Sequence, residues 1–171
     1  ALPLVLDHVT LRIEKHLGRH EFGLVGTPPA DIASPIDLRG EVTAASLLDW
    51  TAAKGRLYLR VDYVDLAPWN AWIAPMQRME TGKGAVRLWL DFAQGQVVEM
   101  VADVQLSDVR TRLARELPQL ELAALEGRLR WKHGAEAREL GARGLSIRTR
   151  VGQATGPTDL TLAVTVGPDG N

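Results

Sequence analysis

"GRLYLRVDYVDLAPWNAWI", residues 55–73, decides how this chain is read. Leu57, Leu59, Val61 and Tyr63 alternate with Arg56, Tyr58, Arg60 and Asp62. A period of two puts the first set on one side of a β-strand and the second set on the other. Pro68 then suits the first turn of a helix, where its missing N–H costs nothing. Trp69, Trp72, Ile73 and Met76 follow at i, i+3, i+4 and i+7, an apolar helical stripe. The stretch predicts a two-faced strand and then a short aromatic helix that plugs the sheet or forms its rim.

The same alternation recurs on both sides of this stretch. Upstream, Val5, Val9, Leu11 and Ile13 share a face interrupted by Asp7, Gly18 marks a turn, and "HEFGLVG" returns as a second strand. Residues 26–35, with three prolines, read as a loop, and 36–43 as a strand. Residues 44–55 read as a short helix or irregular connection.

Downstream, Gly82 and Gly84 end the helical segment, and Val86, Leu88, Leu90 and Phe92 oppose Arg87, Trp89 and Asp91. After an "AQGQ" turn, Val98, Met100, Ala102, Val104 and Leu106 share a side. Ser107 opens a candidate helix with Val109, Leu113 and Leu117 spaced by four. "LEGRLRWKHG", "ARELGARGLSIRTR" and "TDLTLAVTV" supply the remaining strands. The expectation is a mainly β fold: a curved antiparallel sheet, meander-like, of about nine or ten strands with one or two short helices. Residues 2–167 form one β-rich domain and 168–171 a tail. "GRLYLRV", "GAVRLWL" and "GRLRWKH" repeat a glycine before alternation at unequal spacing, as glycines at strand-preceding turns also would.

The composition excludes several classes of function. Twenty basic and 21 acidic residues are well mixed and give a net charge of −1, which argues against a nucleic-acid partner. The absence of cysteine removes disulfides, thiolate metal sites and cysteine nucleophiles. No apolar run approaches the ~20 residues of a membrane span. The first residues have no basic n-region and do not form a signal peptide, and the chain reads as an internal piece of something longer.

Chemistry is equally sparse. His16 and His20 have the spacing of a helical metal pair, but Gly18 lies between them, so a solvated hairpin tip is expected and no metal site. No serine sits in a nucleophile elbow, and "ETGKGA" lacks the phosphate-loop pattern. Arg110, Arg112 and Arg115 form a small basic group, diluted by Asp108 and Glu116, that suits solvated surface or an anionic headgroup. Trp89 and Trp131 fall on nominally polar faces among arginines and Lys132. No catalytic residue and no cofactor are expected, and the chain does not read as an enzyme.

Taken in order, "GRLYLRVDYVDLAPWNAWI", "TGKGAVRLWLDFAQGQVVEMVADVQLSDV", "LPQLELAALEGRLRWKHG", "SPIDLRGEV" and "GPTDLTLAVTV" resemble the YhdP-like branch of the AsmA-like bacterial envelope proteins. The resemblance implies the periplasmic portion of a large protein anchored in the inner membrane, of the bridge-like lipid-transfer type. It implies a role in phospholipid transport between inner and outer membrane and in the permeability barrier. The partners it implies are phospholipid, the rest of the same polypeptide and other envelope proteins.

On that reading, Leu57, Leu59, Val61, Val86, Leu88, Leu90, Val98, Met100 and Val104 face lipid tails along a concave apolar face. Trp69, Trp72, Ile73 and Met76 form the rim or plug. The competing readings are a structural or docking β-module with the same residues sealed in a core, and an enzyme on a β scaffold, which needs a polar pocket of convergent His, Asp or Ser.

Overall fold

The fold is given by a computed structural model that describes residues 3–43, 53–71, 79–112, 118–134 and 137–165. Nine strands form one antiparallel sheet in sequence order: β1 (Asp7–His16), β2 (Arg19–Thr27), β3 (Ile36–Thr43), β4 (Lys54–Asp65), β5 (Met79–Ala93), β6 (Gln96–Thr111), β7 (Leu120–His133), β8 (Ala137–Thr149) and β9 (Ala154–Thr165). The sheet does not close, so β1 and β9 are free edges. Every neighbour in space is a neighbour in sequence, as short connections between alternating strands require. The first hairpin turns at Leu17 and Gly18, both at positive φ (44° and 82°), the geometry whose twist matches the flanking strands.

Burial is sparse for a chain of this size. The accessible surface is 11736 Å², against about 8,300 Å² for a compact monomer of the same mass. Two separate apolar clusters sit on one side of the sheet. At one end of the strands, Val61, Val64, Val104, Leu106, Val109 and Leu122 pack with Ala33, Ile36 and Leu66. At the other end, Val42, Ala53 and Phe92 pack with Phe22 and Leu57.

Segment 28–35 joins the first cluster by pairing edge-on with β4 through the Ala33–Val64 bridge. Ser34 N–H donates to the Tyr63 carbonyl at 2.8 Å, Asp65 N–H to the Ile32 carbonyl at 2.8 Å, and Tyr63 N–H to Ser34 Oγ at 3.0 Å. These bonds press Ile32 and Ala33 onto Val64 and its neighbours.

Several local expectations are corrected. The described part of the expected helix, Pro68–Ala71, is 3₁₀, tied to β5 by Leu66 N–H to the Gly82 carbonyl (2.8 Å) and Asn70 Nδ2 to the Met79 carbonyl (2.6 Å). Trp69 packs against the first cluster, whereas Trp72, Ile73 and Met76 lie outside the described residues. Gly82 and Gly84 do not end a helix but belong to β5. Ser107–Thr111 is not a helix start but the end of β6, kinked at Asp108 (φ 50°), because Val109 there pairs with Leu122 and is 1% exposed.

The repeated glycines at 84 and 127 do not precede their strands but lie inside them. A Cβ on Gly84 would meet the Gln105 carbonyl oxygen at 1.9 Å, and one on Gly127 the Leu145 Cα at 2.9 Å. Both residues have φ near +150° (151° and 148°), open to glycine and to little else.

Candidate functional site

Register turns alternation into surfaces. Leu11, Leu24, Leu38, Leu59, Leu88, Ala102, Leu129, Ala142 and Leu160 are cross-strand partners, one after the next, from β1 to β9. The adjacent row runs Ile13, Phe22, Gly40, Leu57, Leu90, Met100, Trp131, Leu140 and Leu162. Its one gap, at Gly40, is filled by Phe22, since a Cβ there would meet that ring at 2.5 Å. Two parallel rows of apolar side chains therefore cross the whole sheet without a charged residue. Eight interstrand spacings make this stripe about 38 Å long.

Of the nine residues singled out in the sequence, Leu57, Leu59, Val61, Val86, Leu88, Leu90, Met100 and Val104 share this face by register. Val98 sits at the irregularity where Asp91 pairs with Glu99 but Phe92 pairs with Val97. Val61 and Val104 are buried in the first cluster, and Leu59 and Val86 pack against it. Leu57 packs against the second. Leu88, Leu90 and Met100 belong to neither cluster and stay partly exposed between them. They form the floor of a strip walled by the two clusters. Toward the edges the strip is open: Ile13 is 62% exposed, Leu160 52% and Leu162 58%.

Trp131 is a correction. It alternates with Leu129 and pairs with Met100 and Leu140, so it stands on the apolar stripe and not among the arginines. Trp89 does stand on the polar face, 5.4 Å from the Tyr58 ring, with the Arg128 guanidinium 5.6 Å from its own ring centroid.

The other face is a lattice of charges. Asp37, Arg60, Arg87, Asp103, Arg128 and Arg143 are successive cross-strand partners. Arg128 holds Asp103 with two bonds, of 2.5 and 2.7 Å, and Arg130 Nε lies 2.7 Å from Glu99. These guanidinium hydrogen bonds hold the Asp103 and Glu99 carboxyls below their usual range against a small opposing cost of burial. Arg60–Asp62 and Arg39–Asp37 repeat the fork within single strands. Such exposed pairs each contribute little stability, but they keep this side wet.

A hollow of about 710 Å³ on this side is lined by Arg12, Glu21, Arg39, Arg56, Tyr58 and Trp89 among others. This hollow lies over β1–β5 on the charged side.

His16 and His20 sit on opposite arms of the first hairpin, paired with Arg19 and Lys15, so they do not share a helical face. Among the described residues no group of three or more His, Asp or Glu is placed to hold a metal ion. Arg110 and Arg150 both approach Glu121, at 3.8 and 3.6 Å. Arg115 lies outside the described residues.

An apolar stripe on one face, a charged lattice on the other and an open meander beneath both are the features to compare with known proteins. The YhdP protein family model matches residues 2–168. The chain belongs to the YhdP family. That membership suggests an envelope protein of lipid-transport type. No curated protein and no solved structure was found to match the chain. No helix among the described residues is long and apolar enough to cross a membrane.

Proposed function

We propose that this chain is a periplasmic lipid-carrying segment, whose apolar stripe holds phospholipid tails in transit between inner and outer membrane and so serves the outer-membrane permeability barrier. One observation carries the reading: two rows of apolar side chains run from edge to edge, and their central floor, Leu88, Leu90 and Met100, is sealed by neither cluster. Hydrocarbon needs no directional partners, and each CH₂ moved from water onto such a surface contributes about 0.8 kcal/mol. The charged lattice behind it keeps the outer side solvated. Sliding along the stripe makes and breaks no covalent bond, so no catalytic residue is assigned.

The alternative is a structural or docking β-module without a ligand, and the two apolar clusters favour it, since they bury part of the face within the chain. Native mass spectrometry and lipid extraction separate the two, on protein purified from bacteria without detergent. Bound phospholipid that is lost in a folded Leu88→Asp variant supports carriage. Protein that is lipid-free and takes up no added phospholipid refutes it.

A further inference from the structure

The two rims of the apolar stripe differ in chemistry. At one rim the stripe runs into the cluster that holds Ala33 and Leu66, with Ile32 packed against it, which is wholly apolar. One side-chain step beyond the opposite rim lies a row containing Lys15, His20, Val42, Gly55, Phe92, and then His133 and Arg138. Every polar residue described on that row is Lys, His or Arg. The described carboxylates nearby, Glu99 and Glu139, pair across the strands with Lys132 and so face the other side of the sheet.

The β7–β8 corner of this row is the most developed. Trp131 ends the apolar stripe, the His133 ring stacks near it at 6.0 Å between centroids, and His133 pairs across the strands with Arg138. Both His133 and Arg138 are exposed. Among the described residues Arg138 has no carboxylate partner, whereas Arg128 and Arg130, on the other face, are both committed to acids.

We propose that the Trp131–His133–Arg138 corner holds the phosphate of a phospholipid whose tails lie on the apolar stripe. This rests on the lipid-carrying reading above and adds to it the headgroup and its orientation. The argument is one of complementarity and spacing. A phospholipid joins hydrocarbon to an anion through a short polar linker. The protein joins an apolar row to a cationic one through an amphipathic indole, the ring that favours apolar–water boundaries. His133 stands about 7 Å beyond Trp131 along the strand, the repeat of alternate residues. A guanidinium with no carboxylate partner among the described residues is the side chain best shaped to fork onto phosphate oxygens. At the opposite rim the described cluster is apolar, so the tails point toward Val86 and Val104 and the phosphates toward Arg138.

The test is a competition read by native mass spectrometry on the purified chain. Dioleoylphosphatidylglycerol and dioleoylglycerol, which has the same tails but no phosphate, are supplied in equal amounts. The wild-type chain is expected to prefer the phospholipid. Arg138→Gln should cut that preference about five-fold and leave dioleoylglycerol binding unchanged, and Arg138→Lys should retain most of it. An unchanged preference in Arg138→Gln, or none in the wild type, overturns the headgroup site while the tail-binding reading stands. If neither lipid binds, both fall. If excess inorganic phosphate alone displaces the phospholipid, the corner is a free-anion site and the lipid assignment is overturned.

Discussion

Leu88→Asp and Leu106→Asp place the same charge on the same face of the sheet, and the structure assigns them very different costs. Leu106 is 6% exposed and packs within the cluster of Val104, Val109 and Leu122. Replacing it forfeits about 1.5–3 kcal/mol of apolar burial. It also leaves a carboxylate without a partner, at a further several kcal/mol. The sum approaches the ~5–15 kcal/mol that holds a whole domain together, so Leu106→Asp is expected to be largely unfolded. Leu88 belongs to neither cluster and is reached by water. Its substitution forfeits only part of a leucine's burial, about 1–2 kcal/mol, and the new carboxylate stays hydrated. Leu88→Asp is therefore expected to stay folded, about 3 kcal/mol or more above Leu106→Asp in stability. Urea unfolding followed by tryptophan fluorescence and far-UV circular dichroism measures both. Equal losses for the two variants would mean that Leu88 sits in a sealed core, and the open strip would be wrong.

Two further outcomes follow from the geometry. Gly84→Ala puts a Cβ against the Gln105 carbonyl at a φ of 151°; it is expected to destabilise by at least about 2 kcal/mol, and a urea midpoint within error of wild type would contradict the close approach. Asp103 and Glu99 titrate below their ordinary values of 3.8 and 4.5 because Arg128 and Arg130 bond them when folded. Their contribution is therefore complete above those values and is lost as pH falls through the lower folded ones. The stability gap between wild type and an Arg128→Gln/Arg130→Gln double variant should accordingly shrink between about pH 6 and pH 3; a gap that is the same at both ends would remove these pairs as its source.

Strand alternation made much of this legible from the residues. Leu57, Leu59 and Val61 could be set on one side of β4 because a period of two needs no tertiary knowledge. The same logic failed where the backbone breaks its own period. Between Met79 and Lys83, opposite Asp108, the ladder shifts, so a glycine-rich strand start looked like a helix end and Val109 looked like the first turn of a helix. Trp131 was misplaced because its arginine neighbours in sequence, not its step of two from Leu129, were taken to define its side. The packing of Ile32 and Ala33 onto Val64 joins residues about thirty positions apart and leaves no local trace. The cationic row is hidden for a stronger reason: aligning Lys15 with Arg138 requires the register of every intervening hairpin.

The meander itself has a consequence for how such a surface scales. Because each strand pairs only with its predecessor and successor, the architecture behaves like a ruler that is extended by repeating its divisions. Inserting one hairpin between two existing turns would leave every other pairing intact, return the chain in its original direction and keep each residue's parity. The apolar track would lengthen by two interstrand spacings, about 10 Å. A change of reach would thus need no redesign of the walls or of the rim chemistry, only the copying of two alternating segments.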